Sequence, residues 1–169
     1  DGRCNIVATL KGEQSGPRLV YICHQDTVPL GDGWHHDPLA AEIIDGRMYG
    51  RGSCDMKSGL AAGMLAFRNI AAMGKKRKHD FLFIASMDEE DIMIGADKLI
   101  ADGIVRADDY VLDAEPTNGA IKVAHKGKTW FRLDAKGVAC HASTPEKGSD
   151  AVAALSEVIC AINRRLRAL

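Results

Sequence analysis

Short apolar runs punctuate this chain at residues 5–10, 19–23, 41–44, 81–85, 110–112, 120–124 and 130–134, each bounded by glycine, proline or charged residues. Runs of this length and bounding predict strands. Residues 56–73 follow a different period: Leu60, Met64, Phe67 and Ala71 recur at i, i+4, i+7 and i+11 on one helical face, and Gly74 stands where a helix ends. A second helix is predicted over 96–101. A third starts at Asp150, with Val152, Leu155, Ile159, Ile162 and Leu166 along one face and the Asp150 carboxylate beside the positive end of the helix dipole.

From Leu19 to Leu112 the predicted strands and helices largely alternate, which places the chain in the α/β class: a mostly parallel sheet flanked by helices. After Pro116 the order changes, because the turn pair Asn118-Gly119 leads into two strands with no helix between them. That predicts a division into residues 1–118 and 119–169, the second part being the start of an antiparallel α+β module. No internal repeat or low-complexity segment interrupts either part.

With 46% hydrophobic and 27% charged residues the composition is globular, and a chain of this size can bury about 70% of its unfolded surface. Lys and Arg number 22 against 23 Asp and Glu, a formal net charge of -1, so neither a nucleic-acid footprint nor an acidic tail is expected. No apolar run approaches the roughly 18 residues of a membrane span. The five cysteines (Cys4, Cys23, Cys54, Cys140 and Cys160) lack C-x-x-C spacing, which argues for a reducing, cytoplasmic setting rather than a disulfide framework or thiolate zinc knuckle. The chain opens without Met and closes inside a helical pattern, as expected of a piece of something longer.

Charge becomes informative through its placement. Parallel sheets bind ligands beyond the carboxyl ends of their strands. Beyond 19–23 come His24 and Asp26, beyond 81–85 come Asp88, Glu89 and Glu90, and beyond 110–112 come Asp113 and Glu115. Carboxylates gathered at a sheet end are unfavourable unless cations or protons compensate, and a mixed carboxylate and imidazole set suits zinc and its neighbours. In His24-Gln25-Asp26 the two outer side chains share one side of a strand, so the carboxylate can reach the imidazole from behind. Taken alone this pair reads as an ordinary turn, and Asp55 at a helix start reads as an N-cap. The tight glycine-rich GRGSC before Asp55 tilts it toward a loop that must approach something closely.

That loop lies where nucleotide-binding loops lie, yet neither nucleotide pattern fits. The G-x-G-x-x-G pattern starting at Gly50 puts Asp55 at its third glycine, and a P-loop read back from Lys57-Ser58 meets Met56 and Arg51 where glycines are required. His141, in GVACHASTPEKG, sits among small residues and a proline in the second module, where it could reach across to donate a hydrogen bond to an oxyanion. His35, His36, His79 and His125 read as surface or packing residues.

Taken in series, HQDTVP, GWHHDPL, GRGSCDMKSG, SMDEE, DAEPT and CHASTPEKG resemble the M20 family of metallopeptidases and amidohydrolases, over essentially the whole chain. The resemblance implies a catalytic domain followed by a lid and dimerisation domain, and two Zn2+ ions, with Co2+ or Mn2+ as substitutes. It implies His24 and Glu115 as ligands of one zinc, Asp26 as the residue orienting His24, Asp55 as the bridging carboxylate before a commonly cis peptide bond, and Glu90 as a ligand of the second zinc. Glu89 resembles the general base and His141 the lid histidine that stabilises the oxyanion. The implied reaction is hydrolysis of an amide in an N-acyl amino acid or small peptide by metal-activated water, in a homodimer joined through the lid. Deacetylase or desuccinylase chemistry is favoured; a dipeptidase or carboxypeptidase is the alternative within the family, and a non-catalytic metal-binding or interaction fragment is the alternative outside it.

Two departures bear on that reading. Asp91-Ile92-Met93-Ile94 precede Gly95-Ala96 where the family carries small residues, so the local turn and pocket are expected to differ. The histidine that completes the family's second zinc site lies far downstream and has no counterpart among these residues. The 169 residues alone are therefore expected to be poorly active and to expose a large apolar patch.

Overall fold

A computed structural model describes residues 2–168. Two compact units divide it, the first ending at Lys122 and the second beginning at Val123. The first unit is built on a four-stranded sheet of β1 (Ile6–Leu10), β2 (Leu19–His24), β5 (Phe81–Ser86) and β6 (Tyr110–Asp113), in spatial order β1-β5-β2-β6. β2 runs parallel to both β5 and β6, and β1 is antiparallel to β5. A short hairpin, β3 (Glu42–Ile44) with β4 (Arg47–Tyr49), stands apart from the main sheet.

Helix α1 (Ser58–Ala72) connects β2's side of the chain to β5, and α2 (Ile94–Ala101) carries it from β5 back past β2 to β6. The two helices pack on opposite faces of the sheet. Val20, Leu82 and Ile84 form one core with Leu99 of α2, joined by Ile22, Ile104 and Val105. Cys23, Phe83 and Ala85 form the other with Met56, joined by Tyr21 and by Leu60 and Phe67 of α1. Alternate residues of one strand thus feed both cores, and all six residues of β5 are buried. That is why FLFIAS reads as an uninterrupted apolar run: a strand covered on both faces has no solvent side to make polar.

Between the hairpin and α1 the chain makes one wide turn over Ser53–Lys57. The Lys57 N–H reaches back five residues to the Gly52 carbonyl (2.9 Å), Asp55 (φ −113°, ψ 98°) and Met56 (φ −129°, ψ 35°) leave helical geometry, and the Asp55–Met56 peptide bond is cis. The helix expected from Met56 consequently begins at Ser58. It ends as anticipated, with Gly74 in the left-handed region (φ 61°) and its N–H donating to Ala71.

In the second unit α3 (Ala151–Leu166) is capped by the Asp150 carboxylate, which accepts from the amides of Val152 and Ala153 at 2.8 and 3.1 Å. Its apolar residues Val152, Ile159, Ile162 and Leu166 are exposed. The strands expected over 120–124 and 130–134 do not form. The Asn118-Gly119 turn that should launch the first of them is present, with both residues at positive φ and the Ala120 N–H donating to Thr117 at 3.2 Å. A strand, however, is stable only against a neighbouring edge, and among the described residues neither segment finds one. Ile121 and Val123 are 93% and 97% exposed, so alternating apolar side chains here gain nothing from pairing. One antiparallel bridge, Val138 with Ser149, closes the loop that carries His141.

Candidate active site

The carboxyl ends of β2, β5 and β6 meet at one rim of the first unit, where β2 lies between the two strands on either side of the chain's change of winding direction. His24 ends β2 and is 1% exposed. Its amide donates to the sulfur of the fully buried Met56 at 3.1 Å, so the wide turn before α1 is anchored on the strand end. Its Nδ1 lies 3.0 Å from the backbone carbonyl of Asp26, and a carbonyl oxygen can only accept. Both ring nitrogens thus face acceptors, so a ring that keeps its proton on Nδ1 can offer the Nε2 lone pair to a cation, and without a cation Nε2 binds a proton instead.

Nε2 points into carboxylates. Asp55 Oδ1 stands 3.2 Å away, Glu115 Oε1 3.4 Å and Glu89 Oε2 3.8 Å. The ligand atoms of His24, Asp55 and Glu90 lie within 4.8 Å of one another, as do those of His24, Glu89 and Glu115. These buried anionic oxygens repel one another and draw a proton or a cation to Nε2, and the titration of the site expresses this. Burial pushes the Glu115 carboxyl up to about 7, with the charge of Asp55 adding to it against the opposing pull of His24. Burial likewise raises Glu89, countered by His24 and reinforced by Glu90 and Asp26. For His24 burial acts downward, but the hydrogen bond to Asp55 and the charges of Glu115 and Glu89 outweigh it and the imidazole is raised. A divalent cation satisfies all three at once, and imidazole with several carboxylates is a donor set of the right chemistry for one.

The turn after β5 is held in place by Asp26. Its two carboxylate oxygens accept from the backbone amides of Glu89 (3.2 Å) and Glu90 (3.1 Å), while its nearer oxygen lies 3.6 Å from His24 Nδ1. Asp88, immediately before, is buried and pairs with Arg3. Gly95 closes the turn from behind, where a Cβ would stand 2.3 Å from the Met87 carbonyl oxygen. Beyond the expected residues, Lys57 donates from Nζ to the Gln25 carbonyl at 2.6 Å, fixing the peptide between His24 and Asp26. The sequence signal for Lys57 was its place in CDMKSG, but nothing in spacing reveals which backbone oxygen it reaches.

His141 belongs to the second unit and is exposed. The Ser143 amide donates to its Nδ1 at 3.2 Å and the Ser143 hydroxyl lies 2.8 Å from the same atom, so the imidazole carries its proton on Nε2. His36 packs its ring on Tyr49 at 4.2 Å between centroids and approaches Glu42, a packing role as expected.

Comparison with known proteins places this arrangement. Succinyl-diaminopimelate desuccinylase of Rhodopseudomonas palustris (strain BisA53) is 34% identical over 158 residues, covering 87% of this chain and 41% of the relative. Acetylornithine deacetylase of Proteus mirabilis is 35% identical over 159 residues, covering 94% and 40%. Human carnosine dipeptidase 1 is similar in structure, with a TM-score of 0.53 and 26% identity over 64% of this chain and 24% of that one. The chain thus spans about two fifths of the length of the curated relatives it matches. With the sequence profile of that family matching residues 20–165, the chain belongs to peptidase family M20/M25/M40.

Proposed function

We propose that this chain is the greater part of the catalytic domain, residues 1–118, and the first part of a lid and dimerisation domain, 119–169, of a zinc-dependent enzyme that hydrolyses the amide of an N-acyl amino acid. The observation that carries the reading is the environment of His24: Nδ1 tied to a carbonyl and Nε2 turned toward Asp55, Glu115 and Glu89. His24, Asp55 and Glu115 would hold one zinc ion, and Asp55 with Glu90 would contribute to a second. Bound there, zinc supplies Lewis acidity that polarises a carbonyl oxygen and lowers the pKa of water from about 15.7 toward about 7.

The protein's own groups supply the rest. Glu89, raised by burial, accepts the proton of the attacking water at a carboxylate oxygen and returns it to the leaving nitrogen. Its neighbour Glu90 is free for metal because adjacent residues of the turn face different ways. His141, protonated on Nε2, presents a donor for the developing oxyanion. The similarity to a desuccinylase and a deacetylase favours an acylated amino acid as substrate, processed in the cytoplasm by a homodimer paired through the second unit.

In the zinc-loaded full-length enzyme of which these residues would form part, Glu89→Ala is expected to abolish turnover of N-succinyl and N-acetyl amino acids while zinc content stays at the level of the unsubstituted enzyme. Retained turnover would remove Glu89 from its role. Hydrolysis of dipeptides in preference to both acyl amino acids would favour the second reading, a dipeptidase, which rests on the likeness to carnosine dipeptidase 1.

A further inference from the structure

β1 is the antiparallel strand of the main sheet, so its entry, rather than its exit, lies at the rim where β2, β5 and β6 end. Ile6 stands opposite Ala85, and the same register carried back along the chain sets residues 3–5 beside residues 86–88, at the root of the loop that bears Glu89 and Glu90. All three make contacts there. Arg3 pairs with the buried Asp88 carboxylate, the Cys4 carbonyl accepts from Gln25 Nε2 at 2.6 Å, and the Asn5 side chain reaches both ends of the loop. Asn5 Oδ1 accepts from the Met87 amide at 3.0 Å, and Asn5 Nδ2 donates to the Gly95 carbonyl at 2.9 Å. Each bond needs its own half of the carboxamide, since a backbone N–H can only donate and a carbonyl can only accept.

The loop between these ends needs fastening. Asp88 (φ 62°) and Met93 (φ 60°) both lie in the left-handed region, which disfavours residues with a Cβ, and the Met93 amide closes the turn on the Asp88 carbonyl at 2.7 Å. Backbone of this kind persists only where its surroundings over-determine it. Asp26 takes the amides at the crest of the loop, and Asn5 takes its base. The packing at the base is tight: a Cβ on Gly95 would stand 2.6 Å from Asn5 Oδ1 and 2.8 Å from the Met87 nitrogen, so the carboxamide and both ends of the loop are in direct contact. We propose that Asn5 is a positioning residue for Glu89 and Glu90, holding the two ends of their loop together through the Met87 amide and the Gly95 carbonyl and so fixing where both carboxylates stand relative to His24. Its bearing on turnover rests on the proposed metal-dependent hydrolysis; its bearing on the loop does not.

The test uses the full-length enzyme of which these residues would form part, with Asn5→Asp and Asn5→Leu. Asp has nearly the same shape and keeps an acceptor for the Met87 amide, but it sets a charged oxygen against the Gly95 carbonyl; Leu loses both bonds. Residue-resolved hydrogen exchange should find the Met87 amide protected in the unsubstituted enzyme and in Asn5→Asp, and about tenfold faster in Asn5→Leu, as for the loss of one hydrogen bond. With zinc bound, and at a temperature where circular dichroism shows each variant folded, kcat for N-acyl amino acids should fall about 10- to 100-fold in both, the order expected when reacting groups are displaced by up to about 1 Å, with KM little changed. A lowered Tm with kcat unchanged in the folded variants would make Asn5 structural only and overturn the proposal. So would a Met87 amide that exchanges in the unsubstituted enzyme as fast as in an unstructured peptide, a result that stands even if Asn5→Leu does not fold. If the unsubstituted enzyme with zinc hydrolyses no acyl amino acid or dipeptide, the functional reading fails while the exchange results still decide whether Asn5 holds the loop.

Discussion

Asp109 illustrates how far one buried residue can be followed. Its side chain is completely covered and receives two hydrogen bonds from Arg18, Nε at 2.8 Å and Nη2 at 2.6 Å, while the Arg106 amide adds a third at 2.8 Å. Arg18 also donates to the Ile104 carbonyl, so the pair joins the entry of β2 to the segment between α2 and β6. The Arg18 hydrogen bonds, opposed by burial and helped by Arg106, hold the carboxyl down at about 2 against an ordinary 3.8. A depressed carboxyl stabilises the fold above its unfolded pKa and loses that contribution as pH falls through the folded value, here between about 4 and about 2. The difference corresponds to about 2 kcal/mol. Asp109→Asn should therefore destabilise at neutral pH by about 3 kcal/mol, since it leaves Arg18 without its counter-charge. In urea titrations that gap should shrink as pH falls toward 2; a gap of the same size at pH 7 and pH 2.5 would mean the ion pair is not its source. No motif in the sequence marks this pair, because Arg18 and Asp109 are ninety-one positions apart and only the parallel register of β2 with β6 brings them together.

At the scale of elements, periodicity located whatever buries a face. Strands 19–24, 81–86 and 110–113 and the helices at 58–72, 94–101 and 151–166 lie close to where the apolar pattern put them. It failed where partners or backbone detail decide. The two segments after Asn118 carry strand composition without an edge to pair with, β4 is too short at three residues to declare a period, and the wide turn at Ser53–Lys57 delays α1 by two residues. The candidate site was legible because a parallel sheet delivers its strand ends to one rim, so acids after three apolar runs had to converge. The hydrogen bonds of Asp26 and Lys57 were not, since both reach backbone atoms that spacing cannot specify. Helix packing offers a test of its own. Gly63 of α1 lies so close to Tyr21 of β2 that a Cβ would stand 2.3 Å from the ring, and the ring is held by its hydroxyl donating to the Gly59 carbonyl at 2.7 Å. Gly63→Ala should lower stability by about 1–3 kcal/mol, the usual cost of overpacking. In a Tyr21→Ala background the same substitution should cost much less, and an equal cost in both backgrounds would point to the helix backbone instead.

For the molecule as a whole, a net charge of -1 conceals a strongly uneven distribution, with the acids of three strand ends drawn to one rim. Folding without metal must bring these groups together; the raised Glu115 records the cost, which the raised His24 partly offsets. The folded metal-free protein holds the Glu115 proton up to about pH 7, whereas the unfolded chain releases it near 4.5, so stability declines as pH rises across that interval. A raised imidazole acts in the same sense: its contribution is complete below pH 6.5 and is lost as pH passes the folded value. A metal ion held at this rim would reverse the balance, because it would bind the ionised carboxylates and the neutral imidazole and displace protons as it did so. The Tm of chelator-treated protein should therefore fall between pH 5 and pH 7.5 by more than that of the zinc-loaded protein, and the separation between the two should widen across the interval. Zinc titrated into the metal-free protein at pH 6 should release protons, measurable as a dependence of binding enthalpy on the ionisation enthalpy of the buffer. A metal-free Tm that is level or rising from pH 5 to 7.5 would show that the rim is relaxed without a cation, and the case for a metal centre built on His24 would fail with it.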